Sequence, residues 1–118
     1  MIKLSIDTTR KVFFAEVKGN LNLNEIQDYI IDLEDKIKKY DTTQYAFIID
    51  AREQMTLAPD LSPLLEKCMK LYTSTPFKKR VSVVLDSAVA MLQVKKVANA
   101  QANEFIMVTS KEEAFKML

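Results

Sequence analysis

The apolar positions of this chain follow two periods, and its N-terminal part follows the shorter one. Residues 2–6 alternate between apolar and polar side chains, which is the pattern of a strand with one face in solvent. A second strand is predicted over residues 11–18, and Gly19 ends it. Because residues 7–9 supply only a turn, the two strands are predicted to pair antiparallel.

The next segment follows the helical period. Asn22 precedes Glu25 by three residues, a spacing at which each side chain can accept the other's backbone N–H at the start of a helix. A helix is therefore predicted over residues 22–40. Its apolar face is formed by Ile26, Tyr29, Ile30, Leu33, Ile37 and Tyr40.

Strands and helices then alternate to the end of the chain. Strands are predicted over residues 44–50, 80–85 and 104–109. Helices are predicted over residues 62–73, 88–102 and from 110 onward. Their predicted N-caps are Ser62 (beside Pro63), Asp86 and Ser110. The last helix is predicted to bring to the core Ala114, Phe115 and Leu118.

This order predicts an α/β fold with one mixed five-stranded sheet and four helices. Helices that return the chain to the same edge of a sheet make the strands parallel, so only the first two strands are expected to be antiparallel. The same periodicity predicts a core that includes Ile26, Ile30, Leu33, Phe47, Ile49, Cys68, Val81 and Val83.

Composition narrows the class of protein. A chain of 118 residues has the usual size of one domain, so a single domain over residues 1–118 is expected. Its 17 basic and 16 acidic residues nearly cancel, which argues against nucleic acid as a partner. No apolar run approaches the ~20 residues of a membrane span, and no secretion signal is evident, so a cytoplasmic location is expected.

Several kinds of chemistry lack the residues they need. The sequence has no histidine and one cysteine, Cys68, which removes histidine-dependent nucleophile pairs and thiolate metal cages. Cys68 falls on an apolar helical face and is predicted to be a core residue. The single glycine excludes the glycine-rich phosphate-binding loops. No metal and no cofactor are therefore expected.

The strongest local signal is the apolar run over residues 45–50, which ends in a carboxylate. Ligands and partners bind α/β sheets outside the carboxyl ends of such strands. The segment after Asp50 is predicted to be an irregular loop with a polar cluster and unexplained apolar residues. The candidate binding surface comprises Asp50, Arg52, Glu53, Met55, Thr56, Leu57, Asp60 and Asp86. The simpler interpretation is that Asp50 pairs with Arg52 and that Asp86 caps a helix.

The element order, Gly19 closing the second strand, Asp50 closing the third and the segment 110–114 together resemble the STAS domain family of anti-sigma-factor antagonists, in its SpoIIAA-like branch. The resemblance covers essentially the whole chain. It implies strands in sequential order, with Asp50 and Asp86 at neighbouring strand ends. It also implies a regulatory module that binds another protein.

In phospho-regulated members of that family, a serine or threonine follows the strand-end Asp. Here Ala51, Arg52 and Glu53 occupy that segment, so the usual serine phospho-switch is predicted to be absent. Thr56 and Ser62 are the nearby hydroxyls.

Three functional hypotheses follow. The first is a noncatalytic protein-binding module, whose partner is another protein or a second copy of the chain as a homodimer. The second is a binder of an apolar small molecule or lipid. The third is a hydrolase that uses Asp50 and Asp86 as its acid and base.

Overall fold

The computed structural model of the protein describes residues 1–54, 59–85 and 105–118. Within them five strands form one sheet: β1 (Ile2–Asp7), β2 (Val12–Gly19), β3 (Ala46–Gln54), β4 (Lys79–Val83) and β5 (Ile106–Val108). Their order is sequential; β1 pairs antiparallel with β2, and every other neighbouring pair is parallel. The predicted mixed sheet and the sequential strand order are both confirmed.

The described helices are α1 (Leu23–Lys39), α2 (Ser62–Ser74) and α3 (Lys111–Lys116), with short 3-10 helices at Thr42–Gln44 and Pro59–Leu61. The predicted helix over residues 88–102 lies outside the described residues. None of the helices described is long and apolar enough to cross a membrane.

Helix α1 begins as the sequence predicts. Asn22 Oδ1 accepts a hydrogen bond from the Glu25 backbone N–H at 2.8 Å, and Glu25 Oε1 accepts one from the Asn22 N–H at 3.3 Å. Two of the N–H groups that every helix start leaves unpaired are thereby satisfied. Gly19, just before this helix, has φ +66°, a left-handed conformation that favours glycine and ends β2.

Two predicted boundaries are wrong. Strand β3 continues to Gln54, four residues beyond Asp50, because its far end pairs with Lys18 and Gly19 of β2. Ser62 is not the N-cap of α2 either. The 3-10 helix Pro59–Leu61 runs directly into α2, so Leu61 occupies the cap position in a helical conformation, and no side chain caps the helix.

The sheet has two differently covered faces, because successive side chains of a strand point to opposite sides. Phe13 and Phe47 belong to the core cluster that packs on α1 and α2. Val12, Ile48 and Val81 belong to a smaller cluster on the other face, which α3 covers through Ala114. Below, these are the α1/α2 face and the α3 face.

Burial matches the sequence pattern at most of the predicted core positions. The confirmed positions are Ile26, Ile30, Leu33, Phe47, Cys68, Val81, Val83 and Ala114. Ile49 is only half-buried, because it borders an open pocket on the α1/α2 face. Phe115 is half-buried as well, and the prediction for Leu118 is wrong, because this C-terminal residue is 41% exposed.

A buried polar contact joins α1 to α2. The hydroxyls of Tyr29 and Tyr72 lie 2.7 Å apart, and both residues are buried. Desolvation by burial raises the pKa of each phenol above its ordinary value. Burial also raises the pKa of the nearby Cys68 thiol to about 11. Both phenols and the thiol are therefore neutral at physiological pH, as a packed interior requires.

Candidate functional site

Asp50 and Arg52 form a forked ion pair. Arg52 Nε donates to Asp50 Oδ1 at 3.0 Å, Nη2 donates to Oδ2 at 2.8 Å, and the Arg52 backbone N–H donates to Oδ1 at 3.2 Å. Asp50 is 8% exposed. The hydrogen bonds from Arg52 hold the pKa of the Asp50 carboxyl below its ordinary value of 3.8, against the opposing effect of burial. The pairing that the simpler interpretation predicted is present.

A β-bulge gives this pair its geometry. Glu16 pairs with Asp50, but two residues later Lys18 pairs with Glu53, so β3 contains one residue more than β2 in this interval. A bulge bends its strand and redirects a side chain. Here the bulged segment contains Arg52, whose guanidinium folds back onto Asp50. An ion pair within β3 therefore connects the bulged residue Arg52 to Asp50, at the point where the bulge begins.

Further charges surround the pair on the α3 face. Lys18 Nζ lies 3.6 Å from Glu16 and 3.4 Å from Glu53, and these carboxylates raise the pKa of Lys18, Glu16 most strongly. The positive charge of Lys111 adds a smaller contribution to the lowered pKa of Asp50. Lys18 and Glu53 are largely exposed, so solvent weakens their attraction.

The structure thus brings together Asp50, Arg52 and Glu53 of the candidate surface. Asp60 is exposed in the 3-10 helix before α2 and forms no ion pair with them in the described part of the chain. The other candidates, Met55, Thr56, Leu57 and Asp86, lie outside the described residues. The juxtaposition of Asp50 and Asp86 therefore stays a prediction.

The chemistry available to Asp50 is limited by its partner. A carboxylate with a lowered pKa that accepts three hydrogen bonds is an anion at neutral pH and has no proton to donate as a general acid. Across residues 1–54, 59–85 and 105–118, no group of three or more potential ligands could hold a metal ion.

The N-terminus of α2 is a second polar feature beside the candidate surface. Its cap residue, Leu61, offers no side-chain acceptor, and no acidic residue occupies the first turn. Ser62 is exposed at the first helical position. The positive end of the helix dipole therefore lies next to Asp60 and Ser62.

An apolar pocket of about 190 Å³ opens on the α1/α2 face and was not predicted. Its described lining residues are Ile49, Ala51, Met69, Tyr72, Ser82, Phe105 and Met107. Ile49 and Ala51 alternate with Asp50 along β3, so the pocket and the ion pair lie on opposite faces of the sheet. The sequence signal that could have indicated this pocket was the polar Ser82 within an apolar strand.

No protein-family model matches the sequence, and no curated protein is significantly similar to it. Solved structures do share its architecture. An uncharacterized protein of the DUF3478 family with a SpoIIAA-like fold, from Shewanella loihica PV-4, superposes with a TM-score of 0.74 at 17% identity. The alignment covers 100% of this chain and 92% of that one.

Two structures of SpoIIAA also match. The unphosphorylated anti-sigma factor antagonist gives a TM-score of 0.61 at 14% identity, covering 97% of this chain and 93% of its own. The phosphorylated form of this Bacillus cell fate determinant gives a TM-score of 0.63 at 14% identity, and the alignment covers 99% of this chain and 98% of that one. The superpositions span nearly the whole of each chain and agree with the strand order above. The protein therefore has a SpoIIAA-like α/β fold.

Proposed function

We propose that the protein is a noncatalytic regulatory module that binds another protein through the surface at the end of β3 and the start of α2. In the described residues this surface contains Glu53, Asp60 and Ser62, all exposed. Met55, Thr56, Leu57 and Asp86 are assigned to it by their positions in the sequence. SpoIIAA, which shares this fold, is an anti-sigma factor antagonist, and it provides the analogy for this proposal.

The observation that carries this proposal is the state of Asp50. A catalytic acid is expected to have a raised pKa, whereas the pKa of Asp50 is lowered by Arg52. The pair holds the end of β3 in a fixed shape, next to side chains that remain exposed. A fixed backbone with exposed polar side chains provides a surface on which a partner can be recognised.

The module is proposed to work without a phosphorylated serine directly after the strand-end Asp, since Ala51 follows Asp50. In the described residues, Ser62 supplies the exposed hydroxyl of the proposed surface. Its modification would place negative charge at the uncapped N-terminus of α2.

Reversal of two charges tests the proposed surface. Tagged protein carrying Glu53→Lys and Asp60→Lys is used to capture partners from a lysate of the native host, beside the unaltered protein. A matched control carries Asp28→Lys on the exposed side of α1. The double variant is expected to lose a specific partner that the control retains, with both variants folded. Retention of every captured protein by the double variant would move the binding surface elsewhere.

A second candidate function is binding of a small apolar molecule, and the pocket beside Ala51 favours it. A cavity of about 190 Å³ with an almost entirely apolar lining is large enough for a compact ligand, since even an engineered cavity of ~150 Å³ binds benzene. Ala51→Leu should fill the pocket and abolish retention of any ligand seen by native mass spectrometry. A ligand that remains bound at the same occupancy would exclude this pocket as its site.

A further inference from the structure

A groove of about 350 Å³ lies on the α3 face beside the Asp50–Arg52 pair, and Glu16 and Lys111 border both. It is formed above the β1–β2 hairpin and beside α3, and its lining includes Lys3, Ser5, Phe14, Lys111 and Phe115. Lys3 pairs with Glu16 in the hairpin register and Ser5 pairs with Phe14, so these side chains share one face. The volume falls within the ~300–1,000 Å³ of small-molecule sites.

Two phenyl rings form the apolar wall of this groove. Phe14 and Phe115 are stacked, with ring centroids 6.1 Å apart and planes inclined by 21°. Both residues are only half-buried. The guanidinium of Arg10 lies 4.7 Å from the Phe115 centroid, and Lys111 Nζ lies 4.7 Å from that of Phe14. Flat apolar surface and positive charge therefore occur together.

The cations of the groove differ in how far their charge is already neutralised. Arg10 Nε lies 3.6 Å from Asp7, and Glu16 is paired with Lys18. The Lys3 side chain forms no hydrogen bond or ion pair with any residue in the described part of the chain. In the same described residues, Lys111 contacts the rings of Phe14 and Phe115 and has no carboxylate at ion-pair distance. Asp7 and Glu16 also line the groove, but each already has a cation beside it, so the charges of Lys3 and Lys111 are left for an incoming anion.

We propose that this groove binds a small aromatic carboxylate. The flat ring of the ligand would take the place of the Lys111 ammonium over the Phe14 ring, and its carboxylate would pair with that ammonium and with Lys3. The ligand needs both parts, because the rings provide no charge and exposed lysines bind weakly without an apolar contact.

Titration with 2-naphthoate, followed by amide NMR of isotope-labelled full chain at neutral pH, tests the site. Saturable shifts are expected at Lys3, Ser5, Phe14 and Lys111. The uncharged analogue 2-naphthol is expected to bind about tenfold more weakly, since it lacks the charge that the two lysines recognise. Lys3→Gln and Lys111→Gln should each weaken 2-naphthoate binding by about threefold.

Lys38→Gln is the matched control, because it removes an exposed lysine of α1 that does not border the groove. It should leave the affinity unchanged. Three outcomes would overturn the proposal: no saturable shifts up to about 10 mM probe, equal affinity for 2-naphthol, or shifts centred on Ile49 and Met69 of the apolar pocket. Because the Lys3 side chain forms no hydrogen bond or ion pair in the described part of the chain, Lys3→Gln tests the site without endangering the fold.

Discussion

Removal of Arg52 should destabilise the protein by more than an ordinary surface substitution does. Arg52→Ala leaves the Asp50 carboxylate, whose side chain is 10% exposed, without its ion-pair partner. Two side-chain hydrogen bonds are lost, and a charged hydrogen bond contributes ~1.5–3 kcal/mol. Because the Arg52 side chain is 35% exposed, solvent reduces this contribution. We therefore expect a loss of about 1–3 kcal/mol in the free energy of unfolding at pH 7.

The loss should depend on pH in a defined direction. The pKa of Asp50 in the folded protein lies below its ordinary value of 3.8, so the ion pair stabilises the folded state fully at pH values above that ordinary value. As the pH falls below 3.8, the Asp50 carboxyl takes up a proton in the unfolded chain before it does so in the folded protein. The stabilisation therefore decreases, and it is lost once the pH has fallen through the lowered pKa. The difference between the native protein and Arg52→Ala should therefore shrink in acid.

Urea unfolding, followed by circular dichroism between about pH 3 and pH 7, measures both effects. Arg52→Lys keeps the charge without the fork and should lose less than Arg52→Ala. Lys38→Ala, at an exposed position of α1, should change stability by less than about 0.5 kcal/mol. If Arg52→Ala costs no more than Lys38→Ala, or if its cost is the same at both ends of the pH range, Asp50 does not depend on Arg52 as argued.

Four further predictions concern the helices. Leu33→Ala should cost about 2–5 kcal/mol in urea unfolding, because Leu33 is fully buried, and a loss below about 0.5 kcal/mol would place the α1 stripe at the surface. Tyr72→Phe should lower the free energy of unfolding by about 1–3 kcal/mol, because it removes the partner of the Tyr29 hydroxyl. The double variant with Tyr29→Phe should lose less than the sum of the two single variants, and additive losses would contradict a direct hydrogen bond. Ser62→Asp should raise stability by about 0.3–1 kcal/mol at low salt by placing a charge at the uncapped start of α2, and no gain would indicate that the helix end is already satisfied. Cys68 has a pKa of about 11, so only about one-thousandth of it is thiolate at pH 8. A thiol reagent should therefore modify it quickly only after unfolding in urea, and fast modification of the folded protein would show that the thiol is accessible.

Local sequence signals were sufficient for most of the architecture. The reciprocal contacts of Asn22 and Glu25 involve residues three apart, so the start of α1 could be predicted without knowledge of the fold. The Ser110 side chain likewise accepts the Glu113 N–H at 3.1 Å, as its spacing predicts. Turn residues and alternating apolar positions fixed β1 and β2 for the same reason.

The prediction failed where a boundary depends on another part of the chain. Strand β3 passes Asp50 because β2 offers pairing partners for Glu53 and Gln54. Nothing in residues 51–54 signals a strand by itself, since they are mostly polar. Ser62 satisfies the local rule for a cap, but the preceding 3-10 helix leaves no extended residue in which a cap can form. In both places tertiary context outweighs local preference.

The sequence by itself determined the order of elements, most of the core and the proximity of Asp50 to Arg52, because each depends on residues close together in the chain. Only the tertiary structure decided that the Asp50–Arg52 pair closes a bulge on the α3 face, while Ala51 borders a pocket on the opposite face. It also decided that Lys3, Phe14 and Lys111, distant in sequence, share one groove. Such sites arise from strand register and helix packing, which are set by contacts between segments far apart in the chain.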